Sequence, residues 1–449
     1  MCPVLVGFKE NGRTRNAHGE IAYHFGVEAT MNRRAAVRMT SILRSLIGIK
    51  HLVVTSASAE GGALVVQVHP SWRIPRCSRC ERRVWAIYDH QPPRWWRHLD
   101  FGAICVQLEY QPRRVPCRQC GVVVEQAPWS DDLRSRFTTD FEDQVAYLAQ
   151  RVDKTSIESL MRIAWRTVGR IVGRVVAKRR PADPLDNLEY IGVDELSYRK
   201  QHHYVTVVVD HRNTRVVWGG EGKSAKSLLA FFEELGPERC KAIKVVTMDM
   251  SAAFINAVRE AVPHAQIVFD RFHVQQLVSK AVDEVRREEW RRLRYFDSPA
   301  AKAIKKTRWA LLKNPWNLTS SEHDKLAMLQ VHNAGLYRAY LLKESFAAIM
   351  DRLQHNVVRR MLKGWLAWAS RSRLAPFVKV ARTIREHIDD IVPYIQCGLT
   401  NGLVEGLGNK TRLATRRAYG FHSARAVLAM IMLCCSGIHL SPVAKRLSC

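Results

Sequence analysis

Between Tyr190 and Phe269 short apolar runs alternate with helical stretches, and this alternation restricts the fold more than any other part of the chain. IGVDELS, HYVTVVVD, Val216 to Gly219, Ala242 to Met248 and Ala265 to Phe269 each read as a short buried strand. A helix from Ser224 to Leu235 follows the third strand, and one from Ala252 to Val262 follows the fourth. Three strands, helix, strand, helix, strand is the order of a mixed α/β sheet.

Two of these runs close on a carboxylate: Asp194 in YIGVDELSY and Asp249 in IKVVTMDMSAAF. A third acid, Glu405, lies in TNGLVEGLGNKTRLATRRAYGF. Asn409, Lys410, Arg412, Arg416 and Arg417 follow it at roughly helical spacing, which sets a carboxylate beside groups suited to phosphate. Two strand-end acids and one helical acid make a cage for a pair of divalent cations. Mg²⁺ needs only one or two protein carboxylates per ion plus substrate phosphate, and ions about 4 Å apart serve in-line displacement at phosphorus. The bland reading of a lone strand-end Asp is a turn or cap residue. Glu195 follows Asp194, and strand alternation sends it to the other face, making it the poorer ligand. Asp270 also ends a strand and rivals Asp249; with His273 it reads as a supporting or DNA-positioning group.

GVDE, DMSAAF, DRFHV at Asp270 to Val274, and TNGLVEG with AYGF behind it resemble the DDE transposases of bacterial insertion sequences, most closely the ISL-three family. The resemblance runs from about Ser41 to the C-terminus. It implies an RNase H-like catalytic domain in which the first and fourth strands are neighbours, so that Asp194 and Asp249 meet. Asp194, Asp249 and Glu405 are then the catalytic triad, using two Mg²⁺ ions with Mn²⁺ as a substitute. A long all-helical insertion is implied between the last strand and the Glu405 helix. The expected partners are double-stranded DNA, both terminal inverted repeats and target, and a second copy of the chain in a synaptic dimer. A regulator that has lost the chemistry, or a nuclease without strand transfer, are the other readings of the same residues.

The remaining segments fit a DNA-handling chain. Lys plus Arg is 70 against 42 for Asp plus Glu, a net +28, which favours a polyanion partner through counterion release. Cys77, Cys80, Cys117 and Cys120 form two CxxC pairs separated by 36 residues, the pattern of a zinc ribbon with an unusually long middle. His98 and Cys105 in that middle could be spare ligands, though strand positions suit them better. Arg and Trp residues around the pairs allow either DNA contact or a packed surface. Glu60-Gly61-Gly62 joins two strand-like runs as a hairpin. Thr138 begins a helix, a second starts at Ile157, and a third starts at Trp165 after a turn near Ile163-Ala164. The last two have helix-turn-helix layout, with Arg166, Thr167, Arg170 and Arg174 on the exposed face, or they are an ordinary helical hairpin. The expected division is 1–38 extension, partly disordered; 39–135 zinc module; 136–182 helix-turn-helix; 183–275 catalytic first part; 276–398 helical insertion; 399–440 catalytic second part; and 441–449 tail. Tryptophans of the helical stretch could serve core, dimer surface or a base at a DNA end. The N-terminus has no signal-peptide pattern, Ala426 to Cys435 is too short to span a bilayer and reads as a core helix, and a bacterial cytoplasmic, nucleoid-associated protein is expected.

Overall fold

The computed structural model describes residues 39–199, 203–296, 298–393, 406, 409, 410, 412, 413 and 421–443. The expectations for residues 1–38, for Glu405, Arg416 and Arg417, and for the last six residues lie outside this set. Two compact units divide the chain, Met1–Arg136 and Phe137–Cys449.

In the first unit, α1 (Met39–Ile47) precedes the hairpin of β1 (Leu52–Glu60) and β2 (Ala63–Pro70). Glu60 pairs with Ala63 across Gly61 and Gly62, both at positive φ. A two-residue turn that follows the strand twist demands that conformation, which glycine adopts without a steric penalty. After β3 (Asp89–His90) come β4 (Arg94–Phe101) and β5 (Ile104–Tyr110), then β6 (Arg113–Cys117) and β7 (Gly121–Val124). The first sheet runs β1-β2-β5-β4 and the second β3-β6-β7. The long segment between the cysteine pairs is thus explained, because it supplies two strands to a separate sheet. Leu43, Leu52, Val66, Trp96, Leu108 and Trp129 form that sheet's core.

The second unit opens with α2 (Thr139–Ala149), α3 (Lys154–Met161) and α4 (Trp165–Arg179). Thr138 caps α2 as expected. α3 starts three residues before the expected Ile157, because the Asp153 carboxylate accepts from Ser156 N at 2.9 Å and fixes the earlier start. α4 has no cap of its own; the Glu158 carboxylate of α3 accepts from Trp165 N instead, at 3.2 Å.

The central sheet is built from β8 (Tyr190–Arg199), β9 (His203–Asp210), β10 (Arg215–Glu221), β11 (Val245–Met248) and β12 (Gln266–Phe269). Between them lie α5 (Ala225–Leu235), α6 (Pro237–Cys240) and α7 (Ala252–Ala261). Its order is β10-β9-β8-β11-β12, with β8, β11 and β12 parallel and β9 and β10 antiparallel. First and fourth strands are neighbours, as an RNase H-like sheet requires. β11 is shorter than expected, since Ala242 and Ile243 close the turn after α6. Asp194 is in mid-strand, not at a strand end. β11 stops pairing at Gly192, while β9 continues along β8 as far as Arg199.

Beyond the sheet run α8 (Arg271–Leu293), α9 (Ser298–Lys305), α10 (Arg308–Leu312), α11 (Ser320–His332), α12 (Ala334–Met350), α13 (His355–Ser370), α14 (Ala375–Glu386) and α15 (Ile388–Ile391), then α16 (Ala424–Cys435). Sheet residues such as Val246 and Phe269 share one apolar cluster with Val278, Leu342 and Trp365. The helical stripes therefore serve as core. Trp365 is buried with its ring N–H on the Leu342 carbonyl at 2.9 Å, whereas Trp309 and Trp316 are exposed. α16 buries Val427, Ile431 and Leu433 as the expected core helix and packs on β10, where Gly219 leaves room for Leu428. Among the described residues no helix is long and apolar enough to cross a membrane.

Candidate active site

The register of β8 on β11 assembles the first pair of acids. Val245 pairs with Tyr190 and Thr247 with Gly192, both strands running the same way. Two residues further along each lie Asp194 and Asp249. Asp249 sits just past its strand and accepts from Ser251 N at 3.2 Å, while Asp194 accepts from Glu195 N at 2.8 Å. Burial lifts the Asp194 carboxyl to about 6, and the Asp249 charge adds to the rise; the Arg412 and His273 charges oppose it. A half-buried acid facing another acid is a site short of positive charge.

Asp270 is committed elsewhere. One of its oxygens accepts from Phe272 N at 3.0 Å and caps α8, and the other holds His273 Nδ1 at 2.8 Å. Its own N–H bonds the Met248 carbonyl at 3.0 Å, which draws the start of α8 against Asp249. The Asp270 carboxylate raises the pKa of His273 and burial opposes it, while Asp249 and Asp194 add to the rise, so the acid pair favours the protonated ring.

Among the residues following Glu405, Asn409, Lys410 and Arg412 are described; all three are helical and exposed, and Arg412 donates to Asn409 Oδ1 at 3.2 Å. On α4, Arg166 and Arg170 are exposed and Thr167 is half-buried. Arg174 turns inward, its Nε and Nη2 donating to Glu142 on α2 at 2.9 and 2.6 Å.

Two groups at the acid pair were not expected there. Burial raises the Glu195 carboxyl; Lys223 opposes the rise, while Asp249 and His273 also act on it. Among the described residues β11 pairs with β8 no further than Gly192, and the Asp249 charge reaches Glu195. Lys223 comes from the loop between β10 and α5, its Nζ 3.9 Å from the centre of the Tyr204 ring. No sequence signal marks it.

In the first unit the sulfurs of Cys77, Cys80, Cys117 and Cys120 all lie within 4.8 Å of one another, with Cys80 and Cys117 at 3.6 Å. A tetrahedral ion with metal–sulfur bonds of about 2.3 Å needs sulfurs roughly 3.8 Å apart, so this donor set fits one ion. Backbone N–H groups of Cys120 and Gln119 pull the Cys117 thiol down to about 7. Burial and the adjacent sulfurs push Cys120 up to about 12. Glu81 and Gly121, each following the second cysteine of its pair, take positive φ and turn the chain back around the cluster. His98 and Cys105 stand on β4 and β5 in the other sheet, as strand residues. Burial lowers His98 to about 4, with its ring bonded to the Ile47 backbone.

A family profile described as a transposase, of the DDE type and the ISL3 group, matches residues 191–431. The chain is 37% identical over 431 residues to a transposase for insertion sequence element IS1557 of Mycobacterium tuberculosis, spanning 89% of this chain and 96% of the relative. It is 30% identical over 364 residues to a transposase for insertion sequence element IS1001 of Bordetella parapertussis, spanning 80% and 89%.

Proposed function

The chain belongs to the ISL3 family of DDE transposases, and from that premise we propose that Asp194, Asp249 and Glu405 hold two divalent ions at one centre for cutting and joining DNA. It is a DNA transposase, an enzyme that cleaves DNA and transfers strands. The observation that carries the site assignment is the β8–β11 register, which sets Asp194 and Asp249 side by side. Glu405 precedes Arg412 by seven residues in the chain, and the Arg412 charge acts on Asp194. Mg²⁺ suits an all-oxygen donor set of this kind, with Mn²⁺ as a substitute.

In the first step a water oxygen bonds to phosphorus at the element's end. The bond from phosphorus to the 3′ oxygen breaks, leaving a 3′ hydroxyl on the element and a 5′ phosphate on the flank. In the second step that 3′ oxygen bonds to a target phosphorus and gives its proton to solvent, while the target's own 3′ oxygen leaves and takes a proton from solvent to become a hydroxyl. Both are in-line displacements, so one site serves both. When bound, the ions supply Lewis acidity at the attacking and leaving oxygens. Asp270 orients His273, whose ring N–H suits a phosphate oxygen. Lys410, Arg412, Arg416 and Arg417 bind the backbone beside the third acid.

Residues 136–182 act as a helix-turn-helix that reads the terminal inverted repeats through Arg166, Thr167 and Arg170; Arg174 braces α4 on α2 instead. Residues 39–135 form a zinc-stapled module, Zn²⁺ being the ion that four thiolates in a closed site favour. Residues 183–275 and 399–440 make the RNase H-like catalytic domain, and 276–398 is a helical insertion within it. Two ends must be cut together, so the working form is a dimer.

The test is an excision and joining assay on a plasmid carrying the element's own ends, with Mg²⁺, comparing wild type with Asp249→Asn and Glu405→Gln. Joined product is expected from the wild type alone, all three proteins binding ends equally. A Glu405→Gln protein that still joins DNA would remove the third acid from the assignment.

A further inference from the structure

His211 is a buried histidine that the proposed reaction does not use. Its ring Nε2 shares a hydrogen bond of 2.7 Å with Thr247 Oγ1, and both side chains are buried. The two residues stand on strands that are not neighbours: His211 directly follows β9, Thr247 lies on β11, and β8 runs between them. The register explains how they meet. His211 N–H donates to the Tyr190 carbonyl at 3.0 Å, which carries the β9 pairing one residue past Ile191 and Asp210, while Thr247 is opposite Gly192. Cross-strand partners share a face, as do residues two apart on one strand, so His211, Tyr190, Gly192 and Thr247 all lie on one side of the sheet. At Gly192 β8 has no side chain on that side, and the imidazole passes over it to β11.

We infer that His211 and Thr247 form a strap that sets the spacing of Asp194 and Asp249 for the metal pair, which makes both of them positioning residues for DNA cutting and joining. The inference rests on the reading of those two acids as the metal site. Asp194 and Asp249 each stand two residues beyond the pairing of Gly192 with Thr247, about 7 Å further along the strands. That pairing is the last between β8 and β11 among the described residues. Beyond it two like charges face each other, and their repulsion acts to part the strand ends. Glycine at 192 gives Thr247 no cross-strand side chain to pack on, and the His211 ring takes that place. The strap is held at both ends, by the His211 backbone on β8 and by its ring on β11. Asp210 fixes the turn that presents it, its carboxylate accepting from Arg212 N at 3.0 Å and from Asn213 Nδ2 at 2.6 Å. Burial keeps the His211 pKa below its ordinary value, against the Asp210 charge, so the strap adds no charge beside the acids. Contacts of this kind, one layer outside the ligands, decide how closely the ligand geometry matches the ion.

The test measures Mn²⁺ affinity of the full chain by the ion's spin resonance signal, beside joining of element ends over a range of Mn²⁺ concentrations. Thr247→Val keeps the side-chain shape and removes the hydroxyl, and His211→Phe keeps a ring and removes the nitrogen. Each is expected to weaken Mn²⁺ binding about tenfold and to raise by the same factor the concentration at which joining is half-maximal, with binding of DNA ends unchanged. The double variant should be no worse than either single, since both remove one bond. Thr247→Ser keeps the hydroxyl and should bind Mn²⁺ as the wild type does. A contact that only stabilises the fold gives another pattern, a lower melting temperature with Mn²⁺ affinity kept in the folded protein. Wild-type Mn²⁺ affinity in Thr247→Val and His211→Phe, or losses that simply add in the double variant, overturns the inference; Asp249→Asn losing the ion in the same assay leaves the carboxylate site intact. If Asp249→Asn binds Mn²⁺ as tightly as the wild type, the acids are misassigned and the inference falls with them.

Discussion

Asp194 carries a pH dependence that bears directly on the site. Its folded pKa, about 6, lies above the ordinary 3.8, so the folded chain holds a proton that the unfolded chain has released. The stability this adds is complete below about pH 4 and is lost as pH rises through about 6, a loss on the order of 3 kcal/mol. Metal-free protein should therefore lose stability to urea between those pH values, and Asp194→Asn should flatten the slope. Divalent binding needs the ionised form, so affinity for Mn²⁺, followed by its spin resonance signal, should strengthen as pH climbs from 5 to 7. A slope unchanged by Asp194→Asn would remove Asp194 from this role. At this scale the two strand acids were legible because each closes an apolar run in a motif. Glu195 and Lys223 were not: period-two alternation points the first away, and the second arrives by a loop whose path no local pattern records.

At the scale of elements, the packing of α16 on β10 depends on an absent side chain. A Cβ at Gly219 would lie 2.6 Å from the Leu428 side chain. Gly219→Ala should force the helix or that leucine aside and destabilise the second unit by about 1–3 kcal/mol. Urea titration measures the shift, and the companion Leu428→Ala in the same chain should restore part of it. The elements themselves were read with fair accuracy, because strand alternation, capping residues and glycine turns are local signals. Their ends moved where a partner intervened: Asp153 starts α3 early, and β9 carries β8 past Asp194.

For the whole molecule, the two units hold separate apolar cores, and the small β3-β6-β7 sheet has little core beyond Val115, Val123 and the cysteines. A domain so small folds only with a staple. Chelation, or Cys117→Ser, should release one zinc per chain by mass spectrometry and lower the melting of the first unit, with the transition of the second unit unchanged. A first unit that melts at the same temperature without zinc would show the cluster to be dispensable for folding.

The sequence by itself determined the order of strands and helices, the paired CxxC spacing, the positive charge and the acids at Asp194 and Asp249, since each is written in neighbours a few residues apart. Only the tertiary structure decided which of these meet. Parallel pairing of β8 with β11 brings Asp194 beside Asp249 across more than fifty residues of chain. The middle of the cysteine segment leaves to complete another sheet, Arg174 turns to Glu142, and Lys223 acts on Glu195 from a loop. Each outcome depends on long-range packing and hydrogen bonding, whose partners are fixed by the whole fold and leave no mark on the local pattern of residues.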